Sequence, residues 1–279
     1  MRKSAIIILF VLSACVLNAA GISNAFFISS KFKRDAFSAL ANVYGRLSLG
    51  AEASYTRHDF FDDGNFFFAL PVVMSYDPVQ IVLRPFGMPQ TNYSYAYGGN
   101  VDILVNLEQD TVGDKYSRAR LSAGYVNQRA VLARAGGIDR EDYGQLVYSL
   151  GLRKNFYNSF VFGANAEIFE YVDGIKDVRG IRGIFNQNDF ADLNSYDVVY
   201  DLPKYSVGAV FNRIMAKGAN IYLSYSYTEF YTADHEHSVI LGNDFPVSKA
   251  VKADLGYNHI IFGNNSKKDI FKIALKVVF

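Results

Sequence analysis

Apolar and polar residues alternate with a period of two along this chain, over stretches longer than a globular strand. From Val43 the odd positions read Val43, Gly45, Leu47, Leu49, Ala51, Ala53 and Tyr55, and the even ones Tyr44, Arg46, Ser48, Gly50, Glu52, Ser54 and Thr56. Successive side chains of a strand point to opposite faces, so one face of this segment is apolar and the other polar. Strands of globular proteins centre on about 5–6 residues, whereas a tilted strand needs ~9–11 to cross a bilayer. An alternation this long fits a wall with lipid on one side and water or polar side chains on the other.

The pattern recurs. Tyr93, Tyr95, Tyr97, Val101, Ile103, Val105 and Leu107 share one face opposite Asn92, Ser94, Asn100, Asp102 and Asn106. Comparable segments run through Ala119–Tyr125, Phe160–Ile168, Ile221–Tyr227 and Val251–Tyr257. Turn-rich pieces such as Asp62-Asp63-Gly64-Asn65, Asp77-Pro78 and Gly263-Asn264-Asn265-Ser266 separate them. Repeated ~10-residue dyad segments are the signature of an all-β, antiparallel transmembrane β-barrel. We predict strands at 26–34, 43–57, 65–76, 79–88, 93–107, 117–128, 143–153, 159–172, 200–212, 219–231, 248–260 and 269–279. That is about twelve, with 10–14 compatible. Lys33–Asn42 reads equally as a short helix, a plug or part of a first long strand. With twelve strands and the C-terminus in the periplasm, the long loops 173–196 and 231–247 fall on the periplasmic side. Barrels normally keep short turns there. A missed strand or hairpin near Gly242-Asn243-Asp244 would remove the conflict.

Half of the 279 residues are hydrophobic, yet after the N-terminus no apolar run approaches the ~20 residues of a spanning helix. The net charge of +1 leaves no electrostatic footprint for nucleic acid. Trp is absent, but 20 Tyr and 23 Phe supply side chains suited to bilayer interfaces.

The N-terminus reads as an export signal: Arg2 and Lys3, then the apolar run Ala5–Leu12, then small residues. Ser23-Asn24-Ala25 fits a signal peptidase, giving a signal peptide of 1–25 and a barrel domain of 26–279, without Cys15, the only cysteine. Leu12-Ser13-Ala14-Cys15 also resembles the lipobox of bacterial lipoproteins, in which the cysteine is lipidated. The first reading is preferred because a barrel already has its membrane anchor.

At the other end, Phe271, Ile273, Leu275, Val277 and Phe279 alternate with Lys272, Ala274, Lys276 and Val278. This final strand, closing on an aromatic residue, resembles the C-terminal signal of Gram-negative bacterial outer-membrane β-barrel proteins. The resemblance covers the last strand only. It implies an outer-membrane location, the outer-membrane bilayer as surroundings, and the barrel-assembly machinery as a partner that reads Phe271, Ile273, Leu275, Val277 and Phe279.

If the apolar faces meet lipid, the lumen receives Arg46, Glu52, Asp102, Asn106, Arg118, Arg120, Lys252, Asp254, Lys272 and Lys276. Arg or Lys at mid-depth on the lipid face would cost ~2–4 kcal/mol, so the parity itself says which face is which. Such a lining predicts a narrow porin-like channel for passive passage of small polar solutes or ions, with charge pairs setting weak selectivity. A closed structural barrel acting through its loops, where Arg179, Arg182, Phe185, Asp189 and Phe190 lie, is the main alternative. A barrel enzyme is the third. Asp62-Asp63 and Asp234-His235 only faintly echo the carboxylates and Asp–His couple of omptin proteases, and His237 and Ser238 would face opposite sides of a strand. His235 and His237 with Asp234 or Glu236 are the densest set of metal-ligand types, more readily a solvated loop. No catalytic residue, metal or cofactor is assigned.

Overall fold

The computed structural model describes residues 19–29, 32–58, 64–89, 95–108, 117–134, 137–156, 159–172, 181–188, 194–200, 202–215, 218–231 and 235–278. The strands are β1 (Ala19–Ser29), β2 (Phe32–Tyr44), β3 (Leu47–His58), β4 (Asn65–Ala69), β5 (Val72–Tyr76), β6 (Val79–Met88), β7 (Ala96–Glu108), β8 (Ser117–Arg134) and β9 (Gly137–Phe156). They continue as β10 (Phe160–Val172), β11 (Ile181–Asn188), β12 (Asn194–Tyr200), β13 (Pro203–Ile214), β14 (Asn220–Phe230), β15 (Glu236–Pro246), β16 (Val251–Phe262) and β17 (Lys267–Val278).

Around the wall consecutive strands pair antiparallel, except that β4 and β5 share one position and β10 passes over β11–β12 to pair with β13. The wall closes where β1 pairs with β17, Gly21 opposite Val278 through Ser29 opposite Ile270. β4 and β5 occupy one position: both lie between β3 and β6, in one continuous register. Pro71 lacks an N–H and interrupts the ladder between them. Its carbonyl still accepts from Gly50 N at 2.7 Å, and Leu70 N donates to Pro85 O at 3.0 Å. The result is a closed barrel of 14 strand positions with the hairpin β11–β12 outside it. At ~4.8 Å between strands and a tilt of ~35–45°, such a wall has a radius of roughly 13–15 Å.

The count exceeds the predicted twelve because two strands were not read. β2 covers the ambiguous segment Lys33–Asn42, and the predicted strand 26–34 straddles the β1–β2 connection. β15 lies in what was read as a loop, 231–247. With both in place, the long connection between β10 and β13 opens at the end opposite the chain termini. We call that the loop end. The turn end holds Ala19, Val278 and the tight connections between β2 and β3, β5 and β6, and β15 and β16. Gly45, with φ +52°, takes the left-handed conformation that the β2–β3 turn requires. Ser23, Asn24 and Ala25, read as a peptidase site, lie within β1. Cys15 and Phe279 lie outside the described residues.

Candidate functional site within the barrel

In a closed wall, parity assigns each side chain to the interior or the exterior. Leu49, Tyr55, Val101, Ile103, Leu121, Leu255, Phe271, Ile273 and Leu275 are exposed on the exterior. The opposite parity holds buried Ser54, Asn100, Asp102, Gln145, Glu167 and Lys272. Apolar exterior and polar interior follow from one period of two, because the pleat cannot place neighbours on the same side.

Of the residues read as lumen-lining, Glu52, Asp102, Asn106, Arg118, Arg120, Lys252, Asp254, Lys272 and Lys276 stand at interior parity. Arg46 does not join them: it sits in the β2–β3 turn with its guanidinium 5.5 Å from the centre of the Tyr76 ring, whose side chain is exposed on the exterior. Asp102 accepts from Arg120 Nη2 at 2.7 Å and from Asn100 Nδ2 at 3.1 Å. Arg118 Nε donates to Asn106 Oδ1 at 3.1 Å. Lys272 Nζ lies 2.6 Å from Asp254 Oδ2, and Tyr222 OH donates to Asp254 Oδ1 at 2.8 Å. Tyr222 reaches Asp254 across β15 by lying over Gly242, where a Cβ would come within 2.1 Å of its ring. Lys252 and Lys276 are register partners at the turn end, both exposed.

These groups crowd the half of the wall nearer the turn end. There Arg118, Arg120, Arg153, Lys252 and Lys276 face Asp102, Asp244 and Asp254, a surplus of cations. The loop-end half differs. Tyr143, Phe169, Tyr171, Leu202 and Phe230 form one buried cluster, joined by Val147 and Tyr231. Phe67 and Ala69 pack with Phe86, which also touches Met88, Ala96 and Val126. Ile260 and Ile270 pack with Phe27 and Phe262. Phe86, Met88, Phe169, Tyr171, Phe230, Ile260 and Phe262 end strands running to the loop end, whereas Phe67, Ala96 and Tyr143 lie on strands that start from it. Polar groups interrupt this belt: Gln128 donates to Gln145, which donates to Tyr171 OH, which donates to the Pro203 carbonyl, and Arg34, Glu236 and Lys268 are also buried there.

Between the zones lies Arg84, which the sequence reading passed over. Its Nη2 is 3.3 Å from Glu52 Oε1. Strand 79–88 is apolar on both faces, so no alternation drew the eye. The available signal was one charge inside an apolar strand, two strand positions from Glu52, the one carboxylate of β3. The aromatic belt was missed for the same reason: Phe66, Phe67 and Phe68 give no parity by themselves.

His235, His237 and His259 lie on the exterior near the loop end. His237 Nδ1 is 2.7 Å from Tyr225 OH, and His259 Nδ1 is 2.7 Å from Asp269 Oδ1. Glu236 points inward and His237 outward, which separates them as ligands. Ser238, on the interior side, donates to Asn258 Oδ1. Among the described residues no group of three or more His, Cys, Asp or Glu is placed to hold a metal ion. Asp62, Asp63, Arg179, Asp189, Phe190 and Asp234 lie outside the described residues, and Arg182 and Phe185 fall on β11. On the loop-end extension of β8 and β9, Arg129 donates to both Asp142 oxygens, at 2.7 and 3.1 Å. Those hydrogen bonds hold the Asp142 carboxyl below its ordinary value.

No family model matches the chain, and no curated protein matches it. Solved structures do. The CymD monoaromatic hydrocarbon channel superposes with a TM-score of 0.55 at 10% identity, covering 94% of this chain and 88% of that one. Pseudomonas putida OprB superposes with a TM-score of 0.50 at 6% identity, covering 94% and 93%. Identities this low speak to architecture alone, and the architecture shared with these two proteins is the closed antiparallel barrel.

Proposed function

We propose that this protein is an outer-membrane, porin-like channel for passive passage of small polar solutes or ions. The observation that carries the reading is the division of the wall: charged and amide side chains on the interior face, and Leu, Ile, Phe and Tyr exposed on the exterior. A water-filled or polar lumen accommodates the former, and lipid the latter. Fourteen strands fall between the filled eight-stranded barrel and the open 16–18-stranded porins, a size suited to a narrow passage. The likeness in fold to the CymD channel supports the same reading. Export, outer-membrane location and use of the barrel-assembly machinery belong to this proposal, supported by the N- and C-terminal patterns. Reconstitution of the purified protein in planar bilayers tests it. Discrete conductance steps are expected. A folded protein that never conducts would point to a closed structural barrel.

A further inference from the structure

Resting on the channel reading, we propose that the preferred solutes are small organic acids with an apolar body, bound at Arg84. Arg84 stands where the aromatic belt meets the charged half of the lumen. Its Nη2 is engaged by Glu52, while its buried Nε and Nη1 have no hydrogen-bond partner within the protein. A buried guanidinium N–H left without an acceptor costs free energy, so an acceptor that reaches Arg84 from the lumen and draws its guanidinium towards it is stabilised there. Directly loop-ward on the same wall, the Phe67 and Phe86 rings lie 5.8 Å apart, and Met88 and Val126 extend the apolar strip. A carboxylate on Arg84 therefore leaves an attached ring or short alkyl chain against Phe86. Beyond Arg84, the cation surplus of the turn-end half favours an anion's onward passage. A neutral sugar gains nothing from Arg84's charge, and acetate gains nothing from the aromatic strip.

Benzoate and acetate are the probes that separate the two halves of the site. Calorimetry on the detergent-solubilised protein is expected to show benzoate binding more tightly than acetate. Arg84→Gln should weaken benzoate by about tenfold or more, the scale of losing charge-assisted hydrogen bonds. Phe86→Ala should abolish the preference for benzoate over acetate while leaving acetate unchanged. If Arg84→Gln alone fails to fold because Glu52 is left without its partner, the double change Glu52→Gln with Arg84→Gln removes both charges and carries the same expectation. Equal binding of the two acids, or benzoate affinity indifferent to Arg84, overturns the inference. Chloride conductance measured in parallel keeps the channel reading separate. Conductance without benzoate preference overturns only the solute assignment, and benzoate binding without conductance overturns only the channel.

Discussion

At the scale of single residues, interior positions behave as coupled sets. Tyr222 and Lys272 both hold Asp254, and Tyr222 does so only because Gly242 leaves room. Gly242→Ala drives a methyl into the Tyr222 ring, and overpacking of this kind costs ~1–3 kcal/mol. We expect a lower unfolding temperature, read from the heat-modifiable shift on gels. Truncating Tyr222 to Ala in the same protein should recover part of the loss, since residues in contact do not add independently. Independent additive losses would show that Tyr222 does not fill that space. Lys272 and Lys276 offer a second measurement. Changing both to Glu moves the lumen four charge units towards negative, beside Asp254. The reversal potential of the conducting barrel should shift towards cations, and the shift should shrink as salt screens it. A selectivity blind to the double change would place these side chains away from the ion path. Parity makes most of these residues legible in the sequence alone, because a period of two states which side each residue takes. Arg84 was illegible: its importance comes from Glu52 two strand positions away and from Phe67 and Phe86 above it, and periodicity carries no such lateral information.

At the scale of elements, the alternating strands were readable and the small-residue ones were not. β2 contains Asp35-Ala36-Phe37-Ser38-Ala39-Leu40-Ala41, whose alanines suit a helix locally, and only pairing with β1 and β3 makes it a strand. β15 carries Ile240-Leu241-Gly242-Asn243-Asp244, where the glycine and its polar neighbours imitate a turn. β1 bears on processing. Cleavage after Ala25 would leave Phe26–Ser29 of its eleven residues between β2 and β17. The register of β1 therefore argues for a processing point upstream of it. Intact-mass measurement of membrane-extracted protein should find Ala19–Ala25 retained, and a diacyl adduct on Cys15 would identify the lipobox as the means. A chain starting at Phe26 would mean that four residues of β1 suffice to close the wall. At the other terminus, deleting Phe279 should impair membrane assembly more than export, and fractionation checks this. Undiminished folded protein would remove the assembly role of that residue. The β8–β9 extension adds a pH dependence. The Asp142 carboxyl has a folded value below its unfolded one, so the Arg129 clasp contributes in full above ~3.9, the ordinary Asp value, and is lost as pH falls through the lower folded value. Amide protection factors in this hairpin, corrected for the intrinsic pH dependence of exchange, should fall on acidification into that range, and Asp142→Asn should flatten the fall.

At the scale of the whole molecule, fold class was legible and strand number only approximately so, because closure is not a local property. Any one hairpin is compatible with ten, twelve or fourteen strands, and the total emerges when the last edge meets the first. The seam between β1 and β17 has a kinetic consequence. Gly21 and Val278 are nearly the whole chain apart, and joining such distant segments carries the largest loop-closure entropy available to this sequence. Until that contact forms, the sheet has two bare edges, each a template for pairing with any other extended chain. The chain is thus most vulnerable after synthesis is complete and before the final strand docks. The length of that interval, and not only the stability of the finished wall, decides how long those edges stay open to other chains.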